Sequence, residues 1–368
     1  MSNIFPALNA YGISLYINPS LAMFARLKRL IMRTKIALIT GGYTAESEVS
    51  LKSAEFVSQQ LDASRYEVYR IMITASSWYY LAENGVKYPV NREDFTLPLA
   101  DRVVRFDLAF IMLHGSPGED GRLQGYLDMV GLPYTSCDAL TSALTMNKAY
   151  TKAVLAGIPD LYLARSVQLF ETQRDEAVEI VTRELTLPYF VKPNAGGSSI
   201  GMTKVKTHDQ LAGAIAKAFD AENTGRQVIV EEFVEGREFS VGIYRRAGDL
   251  VVLPASEVIT EREFFDFEAK YVPGLTNEVT PADLTAEQRQ RVERVVKAIY
   301  ARLNCRGMVR VDFFFQKSTD RFYFIEINTI PGQTAQSFIP QQVRAAGMTE
   351  SAFYSELIEQ SLKAAAQA

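Results

Sequence analysis

Lys35-Ile36-Ala37-Leu38-Ile39-Thr40-Gly41-Gly42 is an apolar run that stops at two glycines, and its place in a repeating pattern decides the fold. Over Glu46–Leu61, the apolar residues Val49, Ala54, Val57 and Leu61 return at helical spacing. Strands are expected at Tyr66–Thr74 and Asp107–Leu113. The second of these ends in His114-Gly115-Ser116-Pro117-Gly118-Glu119-Asp120-Gly121. Strand, Gly-rich turn and helix in repetition predict an α/β chain with an open parallel sheet. Such sheets collect their ligands at the carboxyl ends of the strands, where both Gly-rich loops fall. The fingerprint G-x-G-x-x-G is missing, which argues against a nicotinamide or flavin dehydrogenase.

A chain of 368 residues exceeds what one core usually supports, so two or three domains are expected. With 48% apolar and 22% charged residues it is neither disordered nor fibrous. Two cysteines (Cys137, Cys305) and two histidines (His114, His208) allow no disulfide framework beyond one bridge and no Cys/His zinc site. Both cysteines read as core thiols, and His208 as a surface residue of the capping-box pattern Thr207-His208-Asp209-Gln210. Chemistry must therefore rest on carboxylates, hydroxyls, amines, guanidinium groups or oxygen-ligated metals. Five of the 39 basic residues precede the first acid, Glu46, leaving 34 against 43 acidic groups over residues 36–368. That balance speaks against a nucleic-acid partner. Residues 1–25 carry no charge, but Pro6, Asn9, Gly12 and Pro19 interrupt any spanning helix, and the cations come after the apolar stretch. Residues 1–32 read as a dispensable extension or, less well, a weak membrane-surface helix. No stable membrane insertion is expected.

A helix over Ala139–Ala156 leads into a second region. Strands at Leu187–Pro193 and Met202–Lys206 flank Asn194-Ala195-Gly196-Gly197-Ser198-Ser199-Ile200-Gly201. The glycine spacing resembles a P-loop, yet Met202 stands where Lys is required, and the loop joins two strands rather than strand to helix. Its backbone N–H groups and two hydroxyls still suit phosphate oxygens, with Lys192 as counter-charge; a plain hairpin tip is the other reading. A helix over Leu211–Phe219 and a strand over Val228–Phe233 close this region. A third runs to the end, with the helix Ala286–Leu303.

In that third region Val309–Phe315 and Arg321–Asn328 flank Lys317-Ser318-Thr319-Asp320 and read as a β-hairpin. Centred on Thr319, it pairs Asp312 with Glu326. Alternation then puts Arg310, Asp312, Glu326 and Asn328 on one face, and Val311, Phe313, Ile325 and Ile327 on the other. Two carboxylates and a carboxamide on one sheet face suit Mg²⁺, which keeps waters and phosphate oxygens as its remaining ligands. Arg310 suits charge stabilisation in acyl or phosphoryl transfer. The bland alternative is an exposed polar face with one ion pair.

Taken in order, these segments resemble the D-alanine–D-alanine ligases of the ATP-grasp superfamily. The likeness spans nearly all of the chain after residue 34. It is carried by Gly41–Leu51, His114–Gly121 with Gln124-Gly125, Ser142–Leu144 with Met146–Lys148, Lys192-Pro193 with Gly197–Gly201, Glu268–Tyr271, Arg310-x-Asp312, Glu326-x-Asn328-Thr329 and Pro331-Gly332. It implies an α/β fold, α+β in part, with an N-terminal Rossmann-like open parallel sheet followed by a two-part ATP-grasp fold. The boundaries it suggests are 33–136 for the substrate domain, 137–233 for the ATP-grasp lid and 234–368 for the catalytic domain. The implied reaction phosphorylates one D-alanine with ATP and joins it to a second, for peptidoglycan synthesis in the cytoplasm. Two Mg²⁺ ions, with Mn²⁺ as a substitute, would sit on Asp312, Glu326 and Asn328.

The same resemblance implies the remaining roles. Glu46 would bind the first D-alanine's ammonium, with His114 beside it. Lys148, Lys192, Gly197 and Ser199 would hold the ATP phosphates. Glu231 and Glu238 would contact adenine and ribose, and the backbone at Glu232 and Val234 would complete the adenine site. Ser198 would link Tyr271 to Glu46. Arg310 and the Gly332 N–H would stabilise the oxyanion, while Lys270 and Ser337 would grip the second carboxylate. A homodimer is the family's common state. Two departures stand out: Asn147 where Asp is frequent, and Gln333 where Met is frequent, the latter expected beside the second-substrate pocket. Tyr271 favours D-alanine there, with D-serine or D-lactate as runner-up. A different carboxylate–amine ligation, or an ATP-binding module without catalysis, are the remaining alternatives.

Overall fold

The computed structural model describes residues 33–44, 46–197, 200–221, 226–260 and 276–367. The extension 1–32 and the expected site residues Ser198, Ser199, Lys270 and Tyr271 lie outside the described residues.

The first sheet runs, edge to edge, Lys87–Pro89, Trp78–Leu81, Tyr66–Ile73, Thr34–Gly41 and Leu108–Ile111. The last three are parallel, as expected. The first two form an antiparallel hairpin that the sequence reading leaves unassigned, although Asn84-Gly85 marks its turn. Thr34–Gly41 is buried over its last six residues, because a central parallel strand is covered on both faces. The strand's end is crowded. A Cβ at Gly41 (φ +102°) would lie 2.4 Å from the Ile73 carbonyl oxygen, so only glycine lets the chain turn there.

The second sheet is four-stranded and antiparallel: Thr203–Val205, Tyr189–Pro193, Gln227–Glu232 and Ser166–Phe170. Helices Ala177–Glu184 and Leu211–Phe219 share one core with it, through Val181, Leu211 and Ile215. The expected capping box before the second helix is not made. Residues His208–Gln210 form a 3₁₀ turn without a Thr207 side-chain cap, and the Gln210 side chain accepts the Lys206 N–H instead (2.9 Å).

The third sheet has seven strands. Its main path is Thr276–Val279, Ser256–Thr260, Arg237–Arg246, Val309–Gln316, Arg321–Asn328 and Leu161–Tyr162, with Asp249–Val252 on the side. The helix Ala286–Arg302 packs on it through Val292, Val296 and Ile299, beside Cys137 and Cys305, which are buried. The last helix, Glu350–Ala365, crosses to the first sheet and puts Phe353, Tyr354 and Leu357 into that core.

The single helix expected over Ala139–Ala156 is two: Ala139–Met146 and Lys148–Leu155. Asn147 breaks it with an extended ψ of 104°, and its side-chain oxygen then caps the second helix by accepting the Tyr150 N–H. An Asn caps as well as an Asp does, so this departure leaves the local fold intact. The break places Lys148 on the first turn of a new helix.

In the hairpin, Arg310 pairs with Asn328 and Asp312 with Glu326, as alternation predicts. Beyond Asp312 the register shifts, Phe313 pairing with Phe324, and Ile325 is the extra residue. Ile325 therefore turns toward the central cavity, whereas simple alternation would put it in the core.

Candidate functional site

The three sheets enclose a cavity of about 800 Å³, within the range of small-molecule sites. All fifteen expected site residues that the structure describes line it, from Glu46 and His114 to Arg310, Gly332 and Ser337.

The phosphate-like end is cationic. Lys192, on a central strand of the second sheet, places Nζ 2.5 Å from Glu231 Oε2, and Lys152 places its own 2.5 Å from Glu231 Oε1. Burial pushes the Glu231 carboxyl up, but the two ammonium groups more than offset this and hold it at about 2. Burial likewise opposes the Lys192 charge, and Glu231 overcomes it, so Lys192 stays firmly cationic. Glu231 thus faces two lysines as well as the cavity, a placement the sequence reading does not anticipate. Lys152 is absent from that reading, although it sits four residues after Lys148 on the same helical face. Lys148 Nζ donates to the Gly196 carbonyl (2.6 Å) and lies 3.8 Å from Glu326 Oε2. Glu232 turns its carboxylate away to the Thr186 N–H and hydroxyl (both 2.9 Å).

The opposite wall belongs to the first sheet. Glu46 stands where the helix Ser47–Gln60 begins. The Gly-rich loop closes on it so tightly that a Cβ at Gly197 would lie 2.8 Å from Glu46 Oε1. His114 donates from Nδ1 to the Ile330 carbonyl (2.8 Å), so the neutral ring accepts at Nε2 from the Ser53 hydroxyl (3.0 Å). Burial pushes its pKa down to about 4. Glu119, quoted within the second Gly-rich loop but given no role there, accepts the Gly115 N–H (2.8 Å) and the Ile330 N–H (3.3 Å). Burial, and then the neighbouring Glu46 charge, raise its pKa to about 8.

The floor is the hairpin. Arg310 grips Asp312 through two bonds, Nε to Oδ1 (2.9 Å) and Nη2 to Oδ2 (2.8 Å). The Ser240 hydroxyl (2.6 Å) and Asn328 Nδ2 (3.1 Å) also donate to Asp312. Burial works against the Arg310 charge, and Asp312 outweighs it, so its pKa is raised further. Among the described residues no group of three His, Cys, Asp or Glu forms a metal cage. Asp312, Glu326 and Asn328 nonetheless offer oxygen donors from adjacent register positions, a partial set that fits Mg²⁺ when phosphate and water supply the rest. Ser337, which opens the helix Phe338–Ala345, lines the cavity and accepts the Thr334 N–H (2.9 Å).

Gln333 does not line the cavity but is wholly buried behind it. Its Nε2 donates to the Pro331 carbonyl (3.1 Å) and its Oε1 accepts from the Tyr354 hydroxyl (2.9 Å).

An open sheet with a parallel centre, joined to an antiparallel four-stranded sheet and a largely antiparallel seven-stranded one around a lysine- and carboxylate-lined cleft, defines an ATP-grasp architecture. Two family models match this chain: D-ala D-ala ligase N-terminus over residues 35–137 and D-ala D-ala ligase C-terminus over residues 156–360. The D-alanine–D-alanine ligase from Parabacteroides distasonis is 43% identical over 332 residues, covering 90% of this chain and 98% of that protein. The VanG D-Ala:D-Ser ligase structure from Enterococcus faecalis superposes with a TM-score of 0.80 at 32% identity, covering 89% of this chain and 99% of that one. The D-alanine–D-alanine ligase structure from Bacillus anthracis complexed with ATP gives 0.68 at 26% identity, covering 91% and 99%. The chain belongs to the D-alanine–D-alanine ligase family.

Proposed function

We propose that this chain is an ATP-dependent ligase that joins two D-alanines into D-alanyl-D-alanine for peptidoglycan precursors. The observation that carries this reading is the convergence of Glu46, Arg310 and the Pro331-Gly332 turn with Lys148 and Lys192 on one cavity. In the proposed sequence a carboxylate oxygen of the first D-alanine takes the γ-phosphoryl group of ATP, and ADP leaves. The amine of the second D-alanine attacks the acyl carbon and loses a proton. The tetrahedral adduct then collapses with loss of phosphate, which keeps the oxygen that had bridged carbon and phosphorus.

Glu46 holds the first ammonium, and neutral His114 shapes the wall beside it. Lys148 and Lys192 balance the phosphates together with the backbone at Gly197 and Ser199. Glu238 takes the ribose, and the Glu231 carboxylate with the backbone at Glu232 and Val234 takes adenine. Arg310 and the Gly332 N–H stabilise the developing oxyanion, and such groups count for most in a cavity closed to water. Ser198 and Tyr271 would serve to close the site at Glu46, and Lys270 and Ser337 to take the second carboxylate, as the family resemblance implies. Asp312, Glu326 and Asn328 would hold Mg²⁺, or Mn²⁺, which neutralises charge on the transferred phosphoryl group. A cytoplasmic homodimer completes the proposal; among the described residues no helix is long and apolar enough to cross a membrane.

The likeness to the VanG D-Ala:D-Ser ligase favours D-serine as the second reading for the attacking substrate. Phosphate release is measured with ATP and D-alanine alone, then with D-serine, D-lactate or L-alanine added. D-alanine alone is expected to support full turnover. Turnover only with L-amino acids refutes the proposal.

A further inference from the structure

The Gly332 N–H carries much of the proposed mechanism, yet glycine has no side chain to fix its own peptide plane. The structure shows what fixes it. The peptide joining Pro331 to Gly332 is trans, so its C=O and N–H point in opposite directions across one rigid plane. The Pro331 C=O accepts from Gln333 Nε2 at 3.1 Å, on the buried side of the turn. The Gly332 N–H is thereby directed away from that side and takes no hydrogen-bond acceptor among the described residues. Gln333 is itself locked. Its Oε1 accepts from the Tyr354 hydroxyl at 2.9 Å, its Nε2 also meets Met308 Sδ at 3.5 Å, and its own N–H donates to Ser53 Oγ at 3.1 Å. The Pro331 carbonyl can only accept, which leaves one sense for the carboxamide, with nitrogen toward Pro331 and oxygen toward the phenol, whose hydroxyl then donates. Tyr354 is clamped in turn in the core of the first sheet, edge-on to Phe110 at 5.8 Å. A fully buried carboxamide is costly unless satisfied, and this one is satisfied by a backbone carbonyl, a hydroxyl and, more weakly, a thioether sulfur.

We propose that Gln333 and Tyr354 are a positioning pair that fixes the plane of the Pro331–Gly332 peptide and so aims the Gly332 N–H at the tetrahedral oxyanion. Neither side chain touches substrate; both act through the backbone. The inference rests on the ligase reading above.

The test compares Gln333→Met, which keeps the bulk and removes both hydrogen-bonding groups, with Tyr354→Phe, which removes only the hydroxyl. Losing an oxyanion donor outright lowers kcat by about 10²–10³, so a misaimed donor should cost about 10–100-fold in Gln333→Met and about 3–10-fold in Tyr354→Phe. The KM values for ATP and D-alanine should stay within about threefold of the unaltered chain, because the donor acts in the transition state. The Kd of a phosphinate dipeptide analogue of the tetrahedral adduct should rise by the same factor as kcat falls. A purely structural role would lower the melting temperature and leave that analogue's Kd alone. If Gln333→Met does not fold, Tyr354→Phe decides by the same two readouts. Dipeptide formation by the unaltered chain, with unchanged kcat and unchanged analogue Kd in the folded variants, overturns this inference alone. No dipeptide from the unaltered chain removes the ligase reading, and this inference with it.

Discussion

Arg310→Ala separates the two jobs that the hairpin floor assigns to one side chain. The guanidinium makes two charge-assisted bonds to Asp312, at 2.9 and 2.8 Å, in a mostly buried pair. Without it Asp312 keeps, among the described residues, Ser240 and Asn328 as donors. Breaking a buried pair from one side costs roughly 3–5 kcal/mol, and the lower end applies here because Asp312 also faces the cavity. The catalytic loss is separate. One oxyanion donor is worth about 3–4 kcal/mol, a drop of about 10²–10³ in kcat, and a charged donor belongs at the upper end. The assay pairs initial rates of phosphate release, at saturating ATP and D-alanine, with thermal unfolding and direct ATP binding. ATP binding should largely survive, because the lysines that face the phosphates are elsewhere in the cavity. Adding Asp312→Asn to the variant should restore part of the stability and none of the turnover. Turnover within tenfold of the unaltered protein, with folding intact, would refute the oxyanion role. Unchanged stability would refute the dependence of Asp312 on Arg310.

Three further outcomes rest on the same geometry. The His114 imidazole should stay neutral down to about pH 4, whereas in the unfolded chain it protonates near 6.5. Its contribution is therefore present above about pH 6.5 and is lost as pH falls through 4, on the order of 3 kcal/mol; an NMR titration of the ring near 6.5 would contradict this. Lys152→Met leaves Glu231 with Lys192 alone, which should let the Glu231 pKa rise from about 2 and raise the KM for ATP roughly tenfold or more; an unchanged KM would show the triad to be idle. Gly197→Ala puts a methyl 2.8 Å from Glu46 Oε1, so the loop must retreat; the KM for D-alanine should rise, ATP binding should weaken with it because the same backbone serves the phosphates, and unchanged values for both would count against the close approach.

The hairpin was legible because two apolar runs flank a polar turn, so alternation fixed which residues share the Asp312 face. The bulge at Ile325 was not legible, since one extra residue leaves no mark on composition, yet it keeps Asp312 opposite Glu326 despite the tight turn. The helix break at Asn147 was hidden for a similar reason: Asn is tolerated inside helices, and only its capping of Tyr150 reveals the new start. Lys152 and Gln333 show what one-dimensional reading misses. Lys152 resembles a solvated helix residue until the second sheet brings Glu231 to it, 79 positions later in the chain. Gln333 is adjacent to the Pro331-Gly332 turn in sequence, but its side chain leaves by the buried side, and only the long-range contact with Tyr354 discloses where it goes.

The central claim is an acyl phosphate formed from one D-alanine and captured by another. The most direct test supplies D-alanine labelled with ¹⁸O in both carboxylate oxygens, together with ATP and Mg²⁺, and analyses both products by mass spectrometry. The expected products are D-alanyl-D-alanine with three labelled oxygens, one in its peptide carbonyl and two in its terminal carboxylate, and one ¹⁸O in each phosphate released. Dipeptide formation with unlabelled phosphate, or labelled phosphate without dipeptide, would contradict that claim.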